Sequence, residues 1–242
     1  LTFGLGQDYS LYFDGNAGFR APALPIVSSD WTIEMWFKAG PNAGQGTPGH
    51  LMYWSEGAND CNLVITETGS ISYRVHSVNI ETPQSYTDGS WHHLIAIREQ
   101  NTHIKLYVDG VLRATGTDDS VSLNQHFTMG YGGNQGHFEY PVNAYIDNVI
   151  ISSEQLYTLN SYPIETFNTL NITSSTILAY NFDEGTDDTI IDITDNGYSS
   201  SWSTNLVRSS DVPLLGCTDP SACNYDETAT ADDGSCEFEV DC

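Results

Sequence analysis

The sequence predicts an all-β protein, an antiparallel sandwich or barrel carrying a small cysteine-rich module at its C-terminal end. Three observations lead there. Short apolar–polar alternations recur along residues 9–156, separated by turn signals at regular spacing. No window of helical length repeats apolar residues at i, i+3, i+4 and i+7 between caps. Four of the five cysteines, Cys217, Cys223, Cys236 and Cys242, crowd into an acidic stretch without a single Lys or Arg.

The elements follow in order. Tyr9–Phe13 runs into the turn dipeptide Asp14-Gly15. Trp31–Phe37 alternates, with Ile33, Met35 and Phe37 on one face and Thr32, Glu34 and Trp36 on the other. Leu51–Trp54, Leu63–Thr66 and Ile71–His76 come next, the last two linked by Thr68-Gly69-Ser70. Trp91–Arg98 and Ile104–Val108 follow, and Asp109-Gly110 turns the chain into Val111–Ala114. His126–Met129 and Ala144–Ile151 close the region. Beyond a polar connector, Ile177–Phe182 and Thr189–Ile193 are two further strand candidates, which either complete the same sandwich or begin another repeat. The expected division is a β domain over 1–212 and a cysteine module over 213–242, entered through Pro213 and Gly216.

Composition narrows the function. Seven Lys+Arg stand against 32 Asp+Glu, a formal charge of −25. The basic residues are scattered, so nucleic acid is not the expected partner, and the charge repels anionic lipid. No apolar stretch approaches the roughly 20 residues that span a bilayer, so no membrane insertion is expected. An aromatic content of 12% is that of a chain with a packed core. The four clustered cysteines read as a two-disulfide staple, hence an oxidising, extracellular or cell-surface setting. Their spacing, without a Cys-x-x-Cys pair or a nearby His, disfavours zinc and leaves three connectivities open. The start at Leu1, with no basic segment or apolar run, reads as a mature or excised part of a larger multi-domain chain.

Five ordered motifs carry a family resemblance: Ser10-Leu-Tyr-Phe-Asp-Gly15, Trp31-Thr-Ile-Glu-Met-Trp-Phe37, Asp88-Gly-Ser-Trp-His-His-Leu94, Leu106-Tyr-Val-Asp-Gly110 and Tyr145-Ile-Asp-Asn-Val-Ile150. Together they resemble laminin-G-like domains of the concanavalin-A-like superfamily, and most of all the pentraxin-related branch. The resemblance implies a jelly roll of two stacked antiparallel sheets whose edge loops bind calcium and a glycan or protein ligand. Leu178–Gly185 with Asp192–Gly197 resembles a strand pair of these domains, here placed after the strand it usually precedes. Residues 216–236 resemble a short acidic repeat of large secreted bacterial surface proteins.

The resemblance also supplies candidate ligands for calcium, a cation that takes six to eight oxygens. In the pentraxin-like pattern two loops hold it, and the positions carried over are Asp60 and Asn59 in the first and Asn134 and Gln135 in the second. The second loop lacks the acidic pair of that pattern. Asp14 and Asp147 stand in motifs that flank a structural ion in relatives; as plain residues, Asp14 and Asp109 are also ordinary turn formers before Gly. In the tail, Asp219, Asn224, Asp226, Asp232 and Asp233 have the composition of a calcium loop without matching the EF-hand, and read equally as a solvated acidic face. For sugar stacking, the loop aromatics are Tyr53, Trp54, Tyr131, Phe138 and Tyr140, of which Tyr131, beside Gly132-Gly133, is the chosen ligand contact together with Asn134.

Catalysis is not expected. Glycosidases of this fold use paired carboxylates on one strand, and no such run is present: Glu34 stands alone and Asp147 has no acidic partner at i±2. His92 and His93 alternate to opposite faces and cannot share a metal from one side. Cys61 is unpaired by count and reads as a small buried residue. Asn171-Ile-Thr173 is a glycosylation sequon match. The expected function is non-catalytic, calcium-assisted binding of a carbohydrate or cell-surface glycoprotein. The alternatives are a spacer or protein-binding domain in a surface repeat protein, and a polysaccharide-active enzyme.

Overall fold

The structure, a computed structural model, describes residues 8–24, 30–44, 48–56, 59–118, 126–133, 139–158, 160–162, 170–184 and 188–238. Among them there is no helix, and none long and apolar enough to cross a membrane. The strands build two large antiparallel sheets and one small parallel pair.

The first sheet contains β1 (Ser10–Asp14), β3 (Trp31–Ala39), β8 (Trp91–Glu99), β9 (His103–Val108), β10 (Val111–Thr117), β12 (Asn143–Ser152), β13 (Thr176–Tyr180) and β15 (Val207–Ser209). Its order is β10-β9-β8-β3-β12-β1-β15, and β13 adds to β12 as well. The second sheet contains β2 (Gly18–Arg20), β4 (Gly49–Glu56), β5 (Asn59–Ile65), β6 (Ile71–Val75), β7 (Val78–Glu81), β11 (Phe127–Met129) and β14 (Trp202–Thr204), in the order β14-β2-β11-β4-β5-β6-β7. In the tail, β16 (Leu215–Gly216) pairs in parallel with β17 (Ala231–Asp232).

Alternation does the sorting. On β3, Trp31, Ile33, Met35 and Phe37 enter the main core between the sheets. Trp36 points to the outer face of the first sheet, where it clusters with Trp91, Ile95, Ile97 and Tyr107. The chain covers that second apolar patch itself, with Tyr157 and Tyr162 from the connector and Leu215 and Ala231 from the tail. Cys61 is a free thiol buried in the main core, and burial drives its pKa up.

The two late strand candidates part ways. Ile177–Phe182 forms β13, so it completes this sandwich. Thr189–Ile193 is not a strand: Asp192, nearly buried, accepts hydrogen bonds from the backbone N–H groups of Ala179 (3.2 Å), Thr194 (3.1 Å) and Tyr198 (3.1 Å), which ties the segment into a loop. Cys217 and Cys236 are bonded to each other, and Cys223 is also in a disulfide; Cys242 lies outside the described residues.

Candidate functional site

Two places on the sandwich bring chemistry together. The first is a groove of about 670 Å³ on the outer face of the second sheet. Its floor comes from register. Tyr53 on β4 pairs with Asn62 on β5, Asn62 with Arg74 on β6, and Arg74 with Asn79 on β7, a straight line of side chains across four strands. Their strand neighbours Trp54, Leu63, Tyr73 and Ile80 point into the core, so this line points out. One side of the groove is aromatic. The His50 ring stands edge-on to Tyr53 (centroids 5.2 Å) and tilted to Tyr140 (5.4 Å), and Tyr140 is 46% exposed. Tyr140 adopts φ +54°, a conformation uncommon for a bulky side chain. Burial pushes the His50 pKa down to about 4, so its imidazole is neutral at pH 7. Asp60 lies at the groove with the Arg74 guanidinium 3.7 Å away.

The second place surrounds Asp147. β12 is longer than its neighbours: β1 pairs with residues 143–146 and β13 with 149–152 along the same edge. Asp147 falls in the gap, where the β12–β3 register also slips. Its side chain is fully buried; Oδ1 accepts the Asn148 N–H (2.7 Å), and Oδ2 has no hydrogen-bond partner. Burial, then the charges of Asp8 and Asp183, hold its pKa well above the usual carboxylate range. Asp183 is itself raised to about 6, mainly by burial, although Tyr9 N donates to its Oδ1 (2.9 Å). Two strained residues flank the pair, Asn148 at φ +49° and Phe182 at φ +62°. The Asp147 carboxylate thus has one oxygen without a partner, in the field of the Asp8 and Asp183 charges. Among the described residues no three His, Cys, Asp or Glu side chains stand close enough to form a metal cage. An ion here would add main-chain oxygens or water, as calcium does.

The sequence-based candidates distribute unevenly over these places. Asp60 reaches the groove and Asp147 the second site. Asn134 and Gln135 lie outside the described residues, as does Phe138, and the same holds for the Asn59 side chain. Asp14 does not join Asp147. It pairs with Asn143 at the far end of β1, and its Oδ1 accepts the Asn16 N–H (2.8 Å) in the turn at Gly15. Tyr131 is no ligand contact: it is fully buried, edge-on to Trp202, and packed so tightly on Gly18 that a Cβ there would lie 2.4 Å from its ring. Trp54 is likewise core. Tyr53 and Tyr140 are the aromatics at the groove; strand parity, which sets Tyr53 opposite in direction to Trp54, was the available signal.

In the tail the carboxylates serve their own turns. Asp219 Oδ1 accepts from Ser221 N and Oγ, Asp226 Oδ1 from Thr228 N and Oγ1, and Asp233 Oδ1 from Ser235 N. Asn224 bridges Ser235 and Glu237, and the Asp232 carboxylate is 3.4 Å from Gly234 N. These bonds account for the residues as turn formers and do not converge them on one point. A larger cavity of about 800 Å³ separates the tail from the sandwich. Among its lining groups, His92 bridges Asp88 (3.2 Å) and Asp109 (2.8 Å), and the Trp91 indole donates to Asp211 (2.9 Å). His93 points to the opposite face from His92, against Trp36.

Register also bears on hydrolysis. Asp60 and Glu81 both line the groove. They sit two strands apart and four residues apart along the sheet, since Glu81 pairs with Ser72 and Ser72 with Val64. At sheet spacings that is roughly 16 Å, beyond the span of a carboxylate pair that flanks one glycosidic bond.

A laminin-G family model, described as the concanavalin A-like lectin/glucanases superfamily, matches residues 13–158. No curated protein sequence matches the chain at a significant level. Among solved structures, a Bacteroides ovatus protein proposed to bind carbohydrate superposes with a TM-score of 0.64 at 16% identity, over 87% of this chain and 62% of that one. The chain thus spans less than two thirds of that protein. The heptameric SAP-like pentraxin of Limulus polyphemus superposes with a TM-score of 0.54 at 15% identity, over 68% of this chain and 84% of that one.

Proposed function

The chain belongs to the laminin-G family of the concanavalin A-like lectin/glucanase superfamily, and from that premise we propose that it is a non-catalytic carbohydrate-binding module of an extracellular protein. The observation that carries the reading is the groove on the second sheet. Its aromatic side offers ring faces to the C–H faces of sugars, and its floor offers amide, hydroxyl and guanidinium groups to their hydroxyls. Its volume is that of a small-ligand site. The similarity to the Bacteroides ovatus protein supports the same class of ligand, carried by a glycan or a glycoprotein at a cell surface. The separation of Asp60 from Glu81 argues against that pair acting together on one glycosidic bond. The disulfide-bonded tail supports an oxidising compartment, and the chain serves as one module of a larger surface protein.

Calcium has a structural part in this reading. Asp147 would hold an ion together with main-chain oxygens or water, in the field of the Asp8 and Asp183 charges. Bound there, calcium supplies the positive charge that the buried carboxylate lacks.

A glycan array of neutral and acidic sugars, probed with the native protein and with Tyr53→Ala, tests the function. Hits that vanish in the variant support it. A blank array with protein shown to be folded overturns it in favour of a spacer or protein-binding role.

A further inference from the structure

We infer that the groove takes an uncharged glycan chain of several units laid across the strands, held by direct protein contacts and not through calcium. This rests on the carbohydrate-binding reading and specifies its ligand.

Direction comes from register. Tyr53, Asn62, Arg74 and Asn79 occupy four adjacent strands at one level of the sheet. Adjacent strands are about 4.8 Å apart, so the line is about 14 Å long. A pyranose ring is about as long as one such step. A chain crossing the strands therefore meets one polar or aromatic side chain per unit. Past Tyr53 the row closes, because its pairing partner on β11, Thr128, is buried and its hydroxyl donates to the Tyr131 carbonyl (2.8 Å).

Charge sets the class. Three carboxylates line the groove, those of Asp60, Glu81 and Glu139, against the single guanidinium of Arg74. Arg74 is already turned to Asp60 and donates its Nε–H to the His76 carbonyl (2.8 Å). His50 is neutral and adds no compensating charge. On a chain of net charge −25, a uronate, sialate or sulfate group would enter a repulsive field. Hydroxyl groups meet no such penalty, and an Asp–Arg pair can accept from one and donate to its neighbour. The buried carboxylate that calls for a cation, Asp147, is on the other sheet. The groove thus reads its ligand without the ion.

The test is calorimetric titration of the full chain with neutral oligosaccharide series of increasing length, built from glucose, mannose, galactose or xylose, and with acidic series of matched length. Each is run in calcium and in EDTA, at a temperature where circular dichroism shows the protein folded. The expected result is binding to a neutral series that tightens with length until about four units are reached, one per strand of the row. Affinity is unchanged by EDTA and falls at least tenfold in Tyr53→Ala and in Arg74→Ala. Affinity independent of length, preference for the acidic series, or loss of binding by folded protein in EDTA overturns the inference and leaves the carbohydrate-binding reading standing. Failure to bind any neutral or acidic series overturns both.

Discussion

Arg98 and Asp118 form a two-pronged ion pair with no solvent access to either side chain. Nε–Oδ1 is 2.9 Å, Nη2–Oδ2 is 3.0 Å, and the guanidinium lies 4.6 Å from the Trp31 ring centroid. Strand parity turns Arg98 inward at the end of β8, so the charge is affordable only with its partner. Arg98→Ala should therefore cost about 3–5 kcal/mol, because it leaves a buried carboxylate uncompensated. Arg98→Met with Asp118→Leu should recover most of that. Urea denaturation of the three proteins checks both; a single variant within 1 kcal/mol of the parent would contradict the account.

At Asp147 the native state carries a buried carboxylate with one oxygen unpartnered. Calcium should raise the melting temperature of metal-stripped protein, because an ion bound only by the folded state stabilises it by mass action. Asp147→Asn should melt higher than the stripped parent, since it removes the buried charge, and should lose the response to calcium. Differential scanning fluorimetry in calcium and EDTA gives all four values. A parent protein indifferent to calcium would sink the site.

Glu34 sets a pH dependence of its own. It points outward from β3 under the connector, where Tyr157 donates to its Oε2 (2.8 Å), and burial raises its pKa from 4.5 to about 7 despite that bond. A carboxyl raised in the folded state contributes stability that is present below its unfolded pKa and lost as pH rises through the folded one. Stability should fall between pH 4.5 and about 7, by up to about 1.4 kcal/mol per pH unit from this residue. Glu34→Gln should flatten that slope, leaving the share due to the Asp147 cluster, whose pKa shifts have the same sign. Denaturant titrations across the range decide it; identical slopes in both proteins would rule Glu34 out.

How much of this was legible follows from which forces act locally. β3 could be read residue by residue, because a period of two sends Ile33, Met35 and Phe37 to one core and Trp36 to the other face. β14 and β15 could not: Trp202–Thr204 and Val207–Ser209 are short and mostly polar, and they exist through backbone pairing with β2 and β1 at the opposite end of the chain. Thr189–Ile193 alternates like a strand, yet side chains take the N–H groups a ladder would need: Ser200 Oγ that of Ile190, Glu184 Oε1 that of Ile191 and Ser199 Oγ that of Asp192. The site followed the same division. Asp147 stands inside a strand motif, and Asp60 was singled out in a loop by the family resemblance; the structure puts Asp60 at the groove. Asp8 and Asp183 act on Asp147 only through their charges once the chain is folded, and the choice of Tyr131 over Tyr53 and Tyr140 failed because a Gly-flanked aromatic looks exposed until Gly18 proves to be its packing partner.

One of the ties between the tail and the sandwich is a residue that hydrophobicity gives no hint of. Asp211 accepts from the Lys38 ammonium (2.6 Å) and the Trp91 indole (2.9 Å), and its carbonyl accepts from Ser10 Oγ (2.6 Å). Just beyond it, Leu215 and Ala231 close over the outer apolar patch. Asp211→Ala should remove both side-chain links. Because the carboxylate is about one-third exposed, the loss of global stability should be modest, about 1 kcal/mol. The local effect should be larger: the tail loses its anchor while its disulfides stay intact, so limited proteolysis should release a C-terminal fragment from the variant well before the sandwich is cut. Equal cleavage rates in variant and parent would mean that the apolar contacts at Leu215 and Ala231 hold the tail without Asp211.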